Sequence, residues 1–377
     1  MVLPPGGTRG TSASPTTPAS ARSCGPGRIP RRPTREGSAL RILGCGMATA
    51  VGLTAPASCA AIRGRIDGFR DTAFIAAGGQ WIVGAEVPLE QTVRGTARLA
   101  HLAAGPLREC LGLVPAVRPE DIPVLLCLAE EERPGRPAGP DMSILLHAAG
   151  LLGVTFHPES RAVAAGRVGG VVALHHARHL IEHGRVRHVI VAGADSYLSA
   201  ATLQAYEEDE RILTGDITDG FIPGEAGGAL LLGPADARGN GLAVLGIGFA
   251  RETATILSGD PLRADGLTKA VSDALAEAGL AIHDLDYRIT DVSGEQYAFK
   301  EASLVLSRLL RRRKEEFDIW HPADCIGEVG AAAMPCMLGV TLAAARKGYA
   351  PGPGILCHLA NDDGRRAAVV LRAEAES

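Results

Sequence analysis

One stretch constrains the fold more than any other: Gly166 to Leu232, which opens GRVGGVVALHHARHLIEHG, continues RVRHVIVAGADS and closes DGFIPGEAGGALLL. Gly166 to Gly170 is too glycine-rich for the middle of a helix. From Val171 to His183 the apolar residues fall at helical spacing, and Gly184 stands where a helix would stop. A tight turn, a helix and a C-cap are therefore predicted. Val189–Ala192 and Ala229–Leu232 are short runs with no polar face, which suits strands buried on both sides of a parallel sheet. Elsewhere the same alternation recurs. Strands are predicted at 40–45, 122–128, 160–165, 242–250, 287–292 and 367–372, with helices at 55–68, 92–113, 143–152, 267–278, 300–311 and 335–347.

The turn, the helix, HLIEHGRVRHVIVAGADS and DGFIPGEAGGALLL together resemble the centre of the β-ketoacyl-ACP synthases, condensing enzymes of the thiolase fold. The LRILGCGM strand and turn resemble the start of that family's first half, and the likeness extends over roughly residues 40–373. It implies an α/β, five-layered αβαβα fold of two pseudo-equivalent halves, expected at 39–235 and 236–377. It also implies a homodimer, because the family's counterpart of the 160–165 strand pairs across a two-fold axis.

The family's chemistry needs a thiolate at a helix N-terminus and two histidines, or a histidine and an asparagine, that assist decarboxylation of malonyl-ACP and stabilise the enolate. The motif positions read otherwise here. Counting back from Gly184 places Arg167 on the nucleophilic cysteine, and a guanidinium is no nucleophile. DVSGEQ replaces the first histidine segment, with Ser293 at the histidine position. ADCIGEVGAAAM replaces the second, with Glu328 at that position, or Gly327 if the register shifts by one. ANDDG at 360–364 replaces the closing glycine turn. Arg167, Ser293 and Glu328 are thus expected to be non-catalytic counterparts of a Cys/His/His set. Arg167 and Glu328, joined by Glu295, are expected to form an ion pair that plugs the former acyl cavity.

Other candidates carry blander readings. His175, His179 and His183 share one helix face at i, i+4 and i+8, but no carboxylate or cysteine joins them at ligand spacing, so exposed histidines are expected rather than a metal site. Cys325 and His321 lie beside the altered histidine motif, where a displaced nucleophile and base could stand; a buried structural thiol is the usual state of such a cysteine. Glu225 reads as a structural hydrogen-bonding group. RRRK at 311–314 reads as a solvated helix end, and the LGCGM turn is too incomplete a fingerprint for a nucleotide. No cofactor and no metal are expected.

A net charge of −4 and only 4% aromatic residues argue against nucleic acid. No apolar run approaches the roughly 18 residues of a spanning helix, so a cytoplasmic protein off the membrane is expected. The eight cysteines form no CxxC pair, as suits a reducing compartment. Residues 1–38, rich in Pro, Gly, Ser, Thr and Arg with no acidic residue before Glu36, read as a disordered tail or as the product of a start codon assigned too far upstream.

Three functions fit these residues. The first is a non-catalytic scaffold or accessory protein, an adaptor or chaperone; the N-terminal half resembles thiolase-like proteins found beside type VI secretion effectors, which implies such a role for a secreted effector. The second is a 3-oxoacyl-ACP synthase-type acyltransferase with an unorthodox site. The third is a subunit similar to a chain-length factor. The partners expected are a second copy and an effector or acyl carrier protein.

Overall fold

The computed structural model describes residues 40–374 except 91, 140 and 238; the tail expected at 1–38 lies outside them. In chain order the elements are β1 (Leu40–Ala48), α1 (Ala55–Arg63), β2 (Phe69–Ile75), β3 (Trp81–Ala85), α2 (Gly95–Gly112), β4 (Val124–Leu128), α3 (Asp141–Leu152), β5 (Arg161–Ala164), α4 (Gly169–Glu182), β6 (Val189–Ser196), α5 (Ala200–Glu208) and β7 (Glu225–Pro234). They continue as β8 (Gly241–Arg251), α6 (Asp265–Ala278), β9 (Tyr287–Thr290), α7 (Gln296–Leu309), β10 (Ile319–Trp320), α8 (Ala323–Ile326), α9 (Ala333–Arg346), β11 (Gly354–Ala360) and β12 (Arg365–Glu374).

Ten strands share one sheet in the order β10-β9-β11-β12-β8-β1-β7-β6-β4-β5. Read outward from the central β1·β8 pairing, each side uses its strands in the same sequence: first, fifth, fourth, second, third. That repetition makes the two halves pseudo-equivalent. Helices α4 and α9 share a core with both halves, while α2 and α3 cover the outer face of the first and α6 and α7 that of the second. The layers are therefore αβαβα, the thiolase arrangement. Among the described residues no helix is long and apolar enough to cross a membrane.

The sheet is mixed rather than parallel. β4, β5 and β6 run parallel, but β7 is antiparallel to both β6 and β1. The reason is that residues 197–224, including α5, leave and return at the same end of the sheet, so no crossover intervenes. The β11–β12 pair is closed in the same way by a short turn at 361–364. Both returns pass over the site described next.

Helix α4 starts at Gly169, earlier than the glycine content suggests. A Cβ on Gly170 would collide with the Met334 side chain, so that glycine serves close packing of α4 on α9, while the turn lies ahead of it at Gly166–Val168. The β2–β3 hairpin, α5, β10, α8 and β11 have no counterpart among the predicted elements.

Candidate functional site

Gly166 has φ +60°, and a Cβ there would meet the Glu130 carboxylate. This left-handed residue turns the chain from β5 into a single 3-10 turn, Gly166–Val168, that presents Arg167 at the mouth of α4. Asn361 clamps that turn: its Oδ1 accepts from the Val168 N–H at 3.0 Å, and its Nδ2 donates to the Ala165 carbonyl at 2.9 Å.

The Arg167 side chain is only 11% exposed and meets three carboxylates. Nη1 donates to Glu328 Oε2 at 3.0 Å, Nη2 pairs closely with Asp362 Oδ1, and Nε lies 3.8 Å from Asp291 Oδ2. Glu328 is held in turn by the Ser293 hydroxyl at 2.9 Å and by the Gly330 N–H at 2.9 Å. The three candidate positions Arg167, Ser293 and Glu328 thus converge on one carboxylate.

Glu295 does not join Arg167. It takes a bidentate pair from Arg211, at 2.7 and 2.8 Å, because residues 197–224 bring that arginine down over the site. Arg211 also reaches Asp362 at 2.9 Å, and the Tyr206 hydroxyl donates to the same carboxylate at 3.1 Å. Asp362, from the altered closing turn, therefore joins two arginines into one network.

Electrostatics follow from this geometry. Burial opposes the charge of Arg167, but Asp362 and Glu328 outweigh it and hold the guanidinium firmly protonated. Burial likewise opposes ionisation of Asp362, yet Arg167 and Arg211 hold its carboxyl well below the usual range. Asp291 has no such surplus of partners. Burial raises it to about 6 against the pull of Arg167. Beside Glu328, a small cavity of about 10 Å³ lies among Thr290, Asp291, Ile326, Val329 and Met337, room for no more than about one water.

Among the described residues no cysteine takes part in the contacts of Arg167. Cys325 is 4% exposed and burial pushes its thiol up to about 11, while His321 pairs with Asp324 at 2.9 Å. Cys45, Cys59, Cys110, Cys127, Cys336 and Cys357 are likewise raised by burial, the opposite of what a nucleophilic thiolate needs. His175, His179 and His183 sit on the exposed face of α4, with the last two rings stacked at 4.0 Å. Glu225 is wholly buried, pairs with Arg98, and accepts from the Val87 N–H at 3.0 Å and the Ser196 hydroxyl at 2.9 Å, a structural tie between β7 and α2.

No family model matches the chain. Its sequence is 28% identical over 212 residues to the "Putative polyketide beta-ketoacyl synthase 2" of Streptomyces cyaneus, over 52% of this chain and 50% of that protein. It is 27% identical over 219 residues to the "Granaticin polyketide putative beta-ketoacyl synthase 2" of Streptomyces violaceoruber, over 53% and 50%. The chain spans about half the length of the curated relatives it matches. Among solved structures, the ketosynthase (ApeO) in complex with its chain length factor (ApeC) from Xenorhabdus doucetiae aligns with a TM-score of 0.70 at 15% identity, over 89% of this chain and 98% of that one. The ishigamide ketosynthase/chain length factor aligns at 0.64 with 21% identity, over 89% and 99%. A type II polyketide acyl-carrier protein in complex with its ketosynthase gives 0.75 at 14%, over 90% and 100%.

Proposed function

We propose, with the thiolase fold of ketosynthases and the sequence kinship to polyketide β-ketoacyl synthases as premise, that this chain is a non-catalytic member of that group, acting as a scaffold or accessory protein. The observation that carries the reading is Arg167. At the turn where a condensing enzyme needs a thiolate stands a guanidinium engaged by Glu328 and Asp362, and the cavity on the far side of Glu328 is only about 10 Å³. Such an arrangement holds no acyl chain and donates no electron pair. Arg167, Ser293 and Glu328 stand, in this reading, where the family's Cys/His/His set stands.

Residues 39–235 and 236–377 form the two halves, and β5, at the end of the sheet order, is the edge through which a homodimer assembles. A second reading, a subunit similar to a chain-length factor paired with an active ketosynthase, is favoured by the two neighbours that are ketosynthase and chain length factor pairs. Native mass spectrometry with and without a ketosynthase separates these assemblies.

The reading is tested by intact-protein mass after incubation with acyl-ACP and acyl-CoA donors. No adduct is expected. A stoichiometric thioester on any cysteine, lost when that cysteine is substituted, would establish instead an acyltransferase with an unorthodox site.

A further inference from the structure

At the end of the sheet opposite β5, the chain leaves α7 at Leu309, passes through Arg311, Arg312, Arg313 and Lys314, and returns as the two-residue edge strand β10. Arg288, the second residue of β9, pairs in the ladder with Ile319 of that strand. It is 7% exposed, so its side chain has left water almost entirely.

Among the described residues six arginines are buried to this degree, and five have a carboxylate within ion-pairing distance: Arg41, Arg98, Arg133, Arg211 and Arg366. Arg288 is the sixth and has none. Its Nη2 donates to the Phe317 carbonyl at 3.3 Å, its Nε is buried without a partner, and its Nη1 makes no hydrogen bond yet is not sealed from solvent. Burial pushes the guanidinium down to about 10, and the Asp318 carboxylate, beyond ion-pairing distance, opposes that only in part.

A second cation shares the spot. The Arg288 guanidinium lies 5.2 Å from the centroid of the Phe317 ring and the Lys314 ammonium 5.0 Å from it. Lys314 uses two donors on the carbonyls of His283, at 3.3 Å, and Leu285, and keeps a third. Arg311, Arg312 and Arg313 are exposed beside it, and among the described residues no salt bridge engages them or Lys314. Glu315 and Glu316, in the same loop, are exposed and pair with none of these cations. The ring relieves part of the desolvation, but cation–π attraction is small beside the cost of a buried charge without a counter-ion.

We infer that Arg288 and Lys314 form a binding site for a phosphate group, free or carried on a small molecule, with the arginines at 311–313 as its outer rim. Phosphate accepts from several directions, which suits donors that arrive from β9 and from the loop after α7; a carboxylate accepts in one plane. The inference is independent of the loss of catalysis, since β10 lies at the other end of the sheet order from β5 and none of these residues belongs to the Arg167 network.

The test is isothermal titration calorimetry of the full chain with inorganic phosphate and, in a second arm, glycerol phosphate, each against chloride at equal ionic strength, with thermal unfolding in the same buffers. One bound phosphate is expected, with affinity about tenfold or more weaker in Arg288→Met and in Lys314→Met. The rise in unfolding temperature that phosphate gives the native chain is expected to vanish in both variants. Tighter binding of glycerol phosphate assigns the site to phosphorylated small molecules, and tighter binding of inorganic phosphate to the free ion. No binding to the native chain, or binding and a thermal rise that are equal in the native chain and the variants, as a general salt effect gives, would overturn the inference. Should Arg288→Met fail to fold by circular dichroism, Lys314→Met decides by the same two outcomes.

Discussion

The interior network around Arg167 and the cleft beyond Arg211 are neighbours with opposite solutions to the same problem. Inside, every guanidinium meets carboxylates at hydrogen-bonding distance, and the remaining space is that of about one water. Outside, five carboxylates, Glu207, Asp209, Glu210, Asp216 and Asp219, face a large open volume with no salt bridge among the described residues, and three of them accept hydrogen bonds instead: Glu207 from the Ala77 N–H at 2.6 Å, Asp216 from Gln80 at 3.3 Å and Asp219 from the Gln296 N–H at 2.7 Å. Arg211 and Glu295 form the wall between them. The contrast teaches that in these two regions the buried charges are held by ion pairs and the exposed ones by no more than single hydrogen bonds, so substitutions on the two sides should differ in kind.

The largest effect is expected at Arg167. Arg167→Ala leaves Glu328 and Asp362 without their cation, and removal of one partner from a buried pair costs about 3–5 kcal/mol; urea unfolding measures it. A loss below about 0.5 kcal/mol would erase the distinction between the two regions.

Next comes pH. Folding raises Asp291 from 3.8 to about 6, so the folded state holds that proton more tightly than the unfolded chain. Its contribution is fully present below 3.8 and is lost as pH rises through about 6. Asp362 has the opposite sign, because its lowered value stabilises above the ordinary carboxylate range and the benefit disappears on acidification. Asp291→Asn is expected to flatten the decline between pH 4 and 6 by on the order of 1–3 kcal/mol. Asp362→Asn is expected to lose stability at pH 7 and to lose most of the same amount still at pH 3, because the folded carboxyl stays ionised well below the ordinary carboxylate range. Stability against pH, from thermal or urea unfolding, checks both.

In the cleft the expectation is reversed and small. Asp209→Asn with Glu210→Gln removes like charges from the end of α5 and should raise stability by up to about 0.5 kcal/mol. A loss above about 1 kcal/mol would mean that these acids are structural after all.

Smallest of all is the expected gain from Arg167→Cys, which is none. The new thiol would lie among Glu328, Asp362 and Asp291, whose charge and burial push a thiol upward, and among the described residues no histidine pairs with the side chain at this position. Acylation detected by intact mass in this variant would show a catalytic frame still in place.

The fold was readable wherever the apolar pattern is continuous: α4, β6, β8, α6, α9 and β12 fall where periodicity puts them. Strand direction was not, because a run such as Ala229–Leu232 is equally apolar in parallel and antiparallel surroundings. The Arg167 and Glu328 encounter was legible because both depart from motif positions that face one another. Asp362 stands in the ANDDG turn that departs from the resembled family, but nothing local tied it to Arg211. They lie 151 residues apart and meet only because two antiparallel returns cross the same end of the sheet. Glu295 was assigned to the wrong arginine for that reason.

The most direct measurement is a double-mutant cycle on Arg167→Met and Glu328→Gln, read by urea unfolding. A structural ion pair at 3.0 Å with Glu328 2% exposed should give a coupling energy of about 2–3 kcal/mol, with the double variant recovering much of what each single variant loses. Additive single effects, with coupling below about 0.5 kcal/mol, would contradict the claim that this site has become part of the fold's framework.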